Sequence, residues 1–235
     1  MSDPAIALRD IVFAYPGRSG FALRCPAFEV APGERVLLLG PSGSGKSTLL
    51  SLICGILAPT AGTVAVAGTD LGAMRAGARD RFRAEHIGIV FQMFNLLPYA
   101  TALDNILLAL AFAPRRRRRV GGAARTEALR IAGALGLDQS LVASAPAGRL
   151  SVGQQQRVAV ARALIGAPDL VIADEPTSAL DAAAQAAFLD ILAAQTDAAG
   201  ATLLMVSHDE RLASRFDRVV SLDEIVTTDR AGVAA

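Results

Sequence analysis

The chain has 235 residues, of which 52% are hydrophobic and 5% aromatic, so it can bury a mostly aliphatic core. A net charge of +1 gives no reason to expect nucleic acid as a partner. Cys25 and Cys54 are isolated, which favours two reduced thiols over a disulfide or a metal site. Residues 1–10 lack the pattern of a signal peptide. No apolar run is long enough to predict a direct membrane span.

The predicted elements mix strands and helices, which indicates an α/β protein. Residues 6–13 alternate between apolar and polar positions and, with residues 62–66, predict a small antiparallel sheet. Three short aliphatic runs predict buried parallel strands, at residues 35–39, 170–173 and 202–206. Helices are predicted at residues 46–57, 152–165 and 182–198, the last with Asp181 as its N-cap.

The middle of the chain differs from this pattern. Residues 94–146 are helical or irregular and predict an inserted helical subdomain rather than a second independent domain. The run of arginines at 115–119 has two interpretations. It could contact anionic lipid headgroups or an acidic loop of a partner, or it could be a solvated, flexible loop.

A phosphate-binding motif occupies residues 40–47, which match GxxxxGK[ST] between a predicted strand and a predicted helix. Its glycines allow backbone N–H groups to surround a triphosphate, and the helix N-terminus adds a partial positive charge. We expect Lys46 to reach the β and γ phosphates and the Ser47 hydroxyl to bind Mg²⁺. The predicted nucleotide-binding residues here are Gly40, Pro41, Ser42, Gly43, Ser44, Gly45, Lys46, Ser47 and Thr48.

Two adjacent carboxylates follow the second aliphatic run. Asp174 at the strand end can hold the Mg²⁺ shell, and Glu175 can face a water that attacks the γ phosphate. Adjacent carboxylates alone are common at solvated strand ends. Together with the phosphate motif they predict a P-loop nucleotide-binding protein, a class that includes kinases, GTPases and helicases.

Residues 150–157 (LSVGQQQR) narrow this class. A Ser-x-Gly-Gln pattern alone is typical of a helix N-cap. Here an amphipathic helix joins it to the acidic strand, and this arrangement resembles the signature of the ATP-binding-cassette (ABC) ATPases. The resemblance implies nucleotide contacts by Ser151, Gly153 and Gln154. Val152 stands where the family usually has Gly, which bears on the geometry of this loop.

Four further positions extend the resemblance over nearly the whole chain. Tyr15 is similar to the aromatic residue that stacks on adenine, and Gln92 to the glutamine between the core and the helical insertion. Asp181 lies in the loop after the acidic motif, and His208 is similar to the switch histidine. The resemblance therefore implies Glu175, His208 and Gln92 as catalytic residues, with Ser47, Gln92 and Asp174 as metal ligands.

The fold implied by this resemblance is a P-loop NTPase (RecA-like) core with a small antiparallel β subdomain and an inserted helical subdomain. Residues 1–235 would form one domain, with the core and the antiparallel sheet at 1–92 and 160–235. The helical signature subdomain would occupy residues 93–159.

The activity implied is ATP hydrolysis coupled to transport, with ATP and Mg²⁺ as cofactors. The partners implied are a second copy of the chain, to whose nucleotide Ser151 and Gly153 would reach, and an integral membrane permease. The chain would then be peripheral, at the cytoplasmic face of the inner membrane. Residues 91–98 and 102–106 look like the subgroup of lipoprotein-release and macrolide-export ATPases. This subgroup implies export or extraction of a lipophilic or lipoprotein-like substrate.

Three alternatives stay open at this point: an importer ATPase, a soluble ABC ATPase without a permease, and a scaffold with a vestigial site. Repair members carry long coiled coils and translation factors carry two cassettes, whereas this chain has one copy of each motif. The complete catalytic set argues against a scaffold. Four apolar residues offer anchors for a permease or for packing of the insertion: Phe94, Leu96, Leu97 and Tyr99.

Overall fold

The computed structural model describes residues 3–15, 21–41, 43–178 and 180–230. Contacts divide the chain into two compact units, Met1–Arg83 with Leu204–Ala235, and Ala84–Leu203. The strands in the described part are β1 (Ile6–Ala14), β2 (Phe21–Val30), β3 (Arg35–Leu39), β4 (Ala61–Val66), β5 (Thr69–Asp70), β6 (Ile87–Val90), β7 (Leu170–Asp174), β8 (Thr202–Ser207), β9 (Arg218–Ser221) and β10 (Thr227–Arg230). The helices there are α1 (Lys46–Ile53), α2 (Ala76–His86), α3 (Ala102–Ala111), α4 (Pro114–Val120), α5 (Ala124–Ala134), α6 (Gln139–Ser144), α7 (Val152–Leu164), α8 (Ala182–Ala199) and α9 (Leu222–Ile225).

The first unit contains an antiparallel sheet with the strand order β10-β2-β1-β4-β5. In its register Ile6 lies opposite Val30 of β2 on one side and Val66 of β4 on the other. All three side chains are fully buried. The apolar alternation of β1 therefore directs one face of the sheet to the core, as the sequence predicted.

The first unit also contains parallel strands that lead to the phosphate motif. β3 pairs with β9, so that Leu37 lies opposite Val219, and β8 flanks β3 on its other edge. Leu37 and Leu38 are fully buried, as expected for an aliphatic strand covered on both faces. The Gly40 N–H donates to the Ser207 carbonyl at 3.3 Å. This bond brings the start of the phosphate motif beside the end of β8.

The second unit combines a parallel strand pair with a group of helices. β6 pairs with β7, with Ile87 opposite Leu170 and Val90 opposite Ala173. α3 packs against α5, α6 and α7, and α7 also packs against β6. Ile106 of α3 and Val158 of α7 are fully buried. The helical insertion predicted between residues 94 and 146 is confirmed here, whereas the exact domain limits at 93 and 159 stay a prediction.

The predicted ends of the elements differ from the observed ends in one important place. The helix predicted for residues 46–57 ends at Ile53, with Cys54 as its C-cap. Gly55 follows in the left-handed region at φ 64°, a conformation that ends helices. The prediction was wrong for residues 54–57 because the apolar pattern continues through Ile56 and Leu57. The other predicted strands and helices end within one residue of those observed.

The arginine run at 115–119 is the second correction. These residues lie in α4, so the interpretation as a flexible loop is wrong. Arg116 is buried and donates through Nε to the Ile165 carbonyl at 2.9 Å and through Nη2 to the Ala163 carbonyl at 2.6 Å. The Glu85 carboxylate accepts from the backbone N–H groups of Arg115 and Arg116. Burial lowers the pKa of Arg116 to about 10.

Both cysteines are buried, and no disulfide joins them. Burial raises the pKa of the Cys25 thiol to about 11. A protonated, buried thiol is inert, so Cys25 packs as a small apolar residue within β2. Among the helices of the described ranges, none combines the length and the apolarity that a membrane crossing requires.

Candidate functional site

The phosphate motif forms the loop between β3 and α1 in the first unit. Gly43 and Gly45 lie in the left-handed region, at φ 78° and 104°. Gly45 is the N-cap of α1, where no side chain covers the first N–H groups of the helix. A Cβ at Gly45 would lie 3.3 Å from the Leu23 and Thr228 side chains, so the backbone conformation favours glycine and the space beside it is tight. The loop is therefore built to leave backbone donors open to an anion.

Lys46 closes over this loop. Its side chain is buried, and its Nζ donates to the carbonyls of Gly40 at 2.7 Å and Pro41 at 2.9 Å. The Ser44 hydroxyl donates to the same Pro41 carbonyl at 2.8 Å. These bonds hold the ammonium group at the mouth of the loop, where a phosphate would meet it. Ser47 is exposed, and Ser42 lies outside the described residues.

Tyr15 lies close to the same helix. Its hydroxyl is 3.1 Å from the Thr48 hydroxyl, and Thr48 belongs to the first turn of α1. The Tyr15 ring packs edge-on against Phe13, with 4.8 Å between the ring centroids. The structure thus brings the predicted adenine-stacking residue beside the predicted phosphate-binding residues within the first unit.

His208 follows β8 directly and its side chain is exposed. The Ser207 hydroxyl, one residue earlier, accepts from the Asp209 N–H at 3.0 Å and fixes the turn after the strand. Since the Ser207 carbonyl also accepts from Gly40, the strand end that carries His208 lies beside the start of the phosphate loop.

The acidic pair of the second unit lies at the end of β7. Asp174 is the last residue of the strand, and Glu175 follows in the left-handed region at φ 43°. This conformation is unfavourable for a residue other than glycine, and strain of this kind is common at functional sites. The buried Gln156 amide of α7 donates to the next carbonyl, that of Pro176, at 2.5 Å. The strained backbone is therefore held from α7.

The signature residues form the N-terminus of α7. Ser151 is the N-cap and forms a capping box with Gln154, with the two bonds measuring 3.3 Å and 2.9 Å. Val152 is 51% exposed, and a Cβ at Gly153 would meet nothing within 4 Å. The first turn is therefore open on its outer side. Nothing in the packing of this unit requires a glycine at position 152, so Val152 leaves the fold of the loop intact.

The remaining predicted residues lie at other ends of elements in the second unit. Asp181 is the N-cap of α8 and accepts from the Ala184 N–H at 2.8 Å, which confirms its predicted capping role. Gln92 lies two residues after β6 and its side chain is exposed. Ala179, between the acidic pair and Asp181, lies outside the described residues. Within the described ranges, no group of three or more His, Cys, Asp or Glu side chains is placed to hold a metal ion.

Two polar side chains that bond to the segment after Gln92 were missed by the sequence interpretation, and of these Arg162 is half-buried and Asn105 buried. Arg162 of α7 donates to the carbonyls of Phe94 and Asn95, and Asn105 of α3 bonds to the backbone of Leu97. Backbone carbonyls and N–H groups carry no residue identity, so no spacing in the sequence pairs these side chains with them. The signal that the sequence offers for such residues is a polar residue on the apolar face of a predicted helix, which indicates a buried hydrogen-bond partner.

A strand, a glycine-rich loop with a buried lysine, and the helix that follows it define this chain as a P-loop nucleotide-binding protein. The family model described as ABC transporter matches residues 23–178, so the chain belongs to the ABC transporter family.

Curated relatives resemble the chain over most of its length. The lipoprotein-releasing system ATP-binding protein LolD of Novosphingobium aromaticivorans is 41% identical over 226 residues, which cover 95% of this chain and 98% of the relative. The macrolide export ATP-binding/permease protein MacB of Rhodopseudomonas palustris is 37% identical. Its match covers 98% of this chain and 35% of the longer relative.

Solved structures agree with this membership. A dimeric post-hydrolysis state of the ATP-binding cassette MJ0796, bound to ADP and Pi, has a TM-score of 0.80 to this chain and 32% identity. It covers 97% of this chain and 99% of its own. The predicted fold class and the predicted ATPase activity are thereby confirmed, as is the resemblance to the lipoprotein-release and macrolide-export subgroup.

Proposed function

We propose that this chain is the motor of a transport system: a homodimeric ATPase that drives a separate permease from the cytoplasmic face of the inner membrane. The observation that carries the proposal is the near full-length match to a lipoprotein-releasing ATP-binding protein. The dimeric state of the similar solved cassette supports the homodimer. An importer ATPase and a soluble ABC ATPase gain no specific support from the geometry.

Nucleotide binding is assigned to the phosphate loop and Tyr15. Backbone N–H groups of the loop and the N-terminus of α1 would bind the phosphate oxygens, while Lys46 would neutralise their charge. Tyr15 would stack on the adenine ring. The donors proposed for Mg²⁺ are a hydroxyl, an amide and a carboxylate, from Ser47, Gln92 and Asp174. These are the oxygen ligands that Mg²⁺ prefers, so the residues fit the ion, which would neutralise charge on the β and γ phosphates.

Hydrolysis is assigned to Glu175, Gln92 and His208. The Glu175 carboxylate would accept the proton of the attacking water, which is general base catalysis. Glu175 has a left-handed backbone, and the Gln156 amide bonds the carbonyl of the next residue, Pro176. This contact supports a fixed orientation of the Glu175 carboxylate. Gln92 would contact the water and the metal, and His208 would contact the γ phosphate.

The dimer is proposed to complete the site. Ser151 and Gly153 at the open N-terminus of α7 would face the γ phosphate on the second copy, with Gln154 and Asp181 nearby. A helix N-terminus offers N–H donors and a partial positive charge to that phosphate. ATP binding would then close the dimer and hydrolysis would open it, which converts nucleotide binding into motion.

The substrate is proposed to be lipophilic or lipoprotein-like. One relative is named for lipoprotein release and another for macrolide export, and these names support the proposed substrate class. The site residues of this chain are assigned to the nucleotide. The permease would therefore bind the substrate, and movement of the ATPase dimer would drive its extraction or export.

The permease is proposed to bind beside Gln92. Met93 and Tyr99 are 81% and 79% exposed, and Leu97 is 37% exposed, whereas Phe94 and Leu96 are half-buried. Large exposed apolar side chains on a backbone that is held in place favour an interface over internal packing. The packing alternative therefore applies to Phe94 and Leu96 more than to Leu97 and Tyr99.

The permease assignment is tested by the double variant Leu97→Asp with Tyr99→Asp. We expect loss of co-purification with the membrane permease, while the basal ATPase rate and the melting temperature stay near those of the wild type. Ile56→Asp, which changes an apolar residue that is 52% exposed in the first unit, is the matched control and should retain the permease. Retained binding in the double variant would move the contact elsewhere. Unfolding of the double variant would favour the packing alternative.

A further inference from the structure

Arg162 connects the last turn of α7 to the segment that follows Gln92. Its Nη2 donates to the Phe94 carbonyl at 2.5 Å and its Nη1 to the Asn95 carbonyl at 2.6 Å. Both acceptors are backbone atoms of consecutive residues, which suits the planar fork of a guanidinium group. Burial lowers the pKa of Arg162, but an arginine stays protonated under all ordinary conditions.

The two residues that accept these bonds have an unfavourable backbone. Phe94 lies at φ 56° and Asn95 at φ 48°, both in the left-handed region. Asn tolerates this region, but a bulky aromatic residue rarely adopts it. A conformation of this kind persists only where its surroundings hold it, and here the guanidinium bonds both carbonyls.

The far end of the segment is held by a fully buried side chain. The Asn105 amide oxygen accepts from the Leu97 N–H at 2.7 Å, and its Nδ2 donates to the Leu97 carbonyl at 3.1 Å. The same Nδ2 also donates to the Thr101 carbonyl at 3.0 Å. Residues 94–101 are therefore fixed at one end from α7 and at the other from α3.

α7 thus has a distinct contact at each end. Its N-terminus is the Ser151 capping box, and its last turn carries Arg162. A helix of 13 residues is about 20 Å long. α7 therefore joins the signature residues to the backbone two and three residues after Gln92. No other described side chain bonds both the Phe94 and the Asn95 carbonyl.

We propose that Arg162 is a positioning residue for hydrolysis: it ties the signature helix to the segment after Gln92 and holds Gln92 in its working conformation. The proposal rests on the role assigned to Gln92 above. It goes beyond that role because it names the residue through which α7 and this segment move together. Arg162 is not itself expected to contact the nucleotide.

The test compares Arg162→Met and Arg162→Lys in the full-length chain. Arg162→Met should lower kcat about tenfold, because without the two carbonyl bonds Gln92 is held less often in its working conformation. Its Kd for ATP should stay unchanged, because the phosphate loop is untouched. Arg162→Lys, which keeps the charge but loses the fork, should give a smaller decrease of about threefold. Arg130→Met, an exposed arginine of α5 in the same unit, is the control and should retain the wild-type kcat.

A second variant separates positioning from simple loss of structure. Glycine adopts the left-handed region at even lower cost than asparagine, so the double variant Arg162→Met with Asn95→Gly should recover part of the lost kcat. A structural role alone would lower the melting temperature without this recovery. Gln92→Ala should lower kcat at least as far as Arg162→Met does.

The two kcat values separate the role of Arg162 from the role of Gln92. An unchanged kcat in Arg162→Met beside a slow Gln92→Ala variant overturns the role of Arg162 and leaves the proposed function intact. An unchanged kcat in Gln92→Ala contradicts the role of Gln92 itself. If Arg162→Met does not fold, Arg162→Lys with and without Asn95→Gly gives the same comparison, and lack of recovery there overturns the proposal.

Discussion

Lys46 is the side chain on which nucleotide binding depends most directly. It is buried at the mouth of the phosphate loop, and its ammonium group already bonds the Gly40 and Pro41 carbonyls of that loop. A triphosphate offers stronger, charged acceptors at the same place, so the lysine can exchange these carbonyls for phosphate oxygens with little movement.

We expect Lys46→Ala to weaken ATP binding at least about 30-fold, which corresponds to about 2 kcal/mol for a lost charge-assisted contact. The measurement is a titration with a fluorescent ATP analogue. Arg9→Ala, an exposed cation on β1 of the same unit, is the control and should bind as the wild type does. Equal affinity of Lys46→Ala and wild type would contradict the assignment of the phosphate loop.

For individual residues, the sequence predicted those that belong to a local motif. It missed those whose side chains bond to backbone atoms. Asp181 was predicted as a helix cap because capping is a local pattern, and the structure confirms it. Arg162 bonds to the Asn95 carbonyl, 67 residues away, and Asn105 bonds to the backbone of Leu97 in an irregular segment, and no local pattern indicates such partners. Glu175 was predicted as the base, but its left-handed backbone was not visible in the sequence.

Among the elements, α4 shows that neighbouring arginines in one run can have different environments. The five consecutive arginines suggested one function for the whole run. In the helix, Arg116 faces inward to the Ala163 and Ile165 carbonyls, while Arg117 and Arg118 are exposed. Helical periodicity thus separates neighbours that the sequence presents as equivalent.

Arg116→Met should therefore destabilise the protein much more than Arg117→Met. Removing the buried guanidinium leaves two buried carbonyls without their donors, at a cost of about 3 kcal/mol. For a chain of this length that cost corresponds to about 6–12 °C in Tm. Arg117→Met should change Tm by less than about 2 °C, since surface substitutions change stability little. Equal melting temperatures of the two variants would show that Arg116 is not held as described.

Strands and helices were predicted well where the pattern is local. The aliphatic run at residues 35–39 became β3 without change, because a short buried strand needs only its apolar side chains. The helix after the phosphate loop ended early, since Gly55 takes a left-handed conformation that competes with the apolar pattern. The pairing of β6 with β7 could not be predicted, because the 79 residues from 91 to 169 separate the two strands in sequence.

The whole molecule is described by two compact units that share the predicted site residues between them. The phosphate loop, Tyr15 and His208 belong to the first, and Gln92, the signature residues and the acidic pair belong to the second. The family membership and the structural match over 97% of the chain show that the residues of both units belong to an ABC ATPase. The sequence motifs predicted this class because phosphate chemistry restricts both the residue types and their order.

The central claim is that ATP closes two copies of this chain and that Glu175 then hydrolyses the nucleotide. Glu175→Gln tests it most directly, because the amide cannot accept a proton from water but preserves the size of the side chain. The measurement is size-exclusion chromatography of wild type and variant with ATP and Mg²⁺, alongside ATPase rates. Runs with EDTA, which removes the metal, serve as the control.

With MgATP, we expect the Glu175→Gln variant to elute as a dimer with a turnover reduced at least about 100-fold. The wild type should remain mostly monomeric and hydrolyse ATP, and with EDTA the variant should return to the monomer. Identical elution and identical turnover of the two proteins with MgATP would contradict both the catalytic role of Glu175 and the ATP-closed dimer.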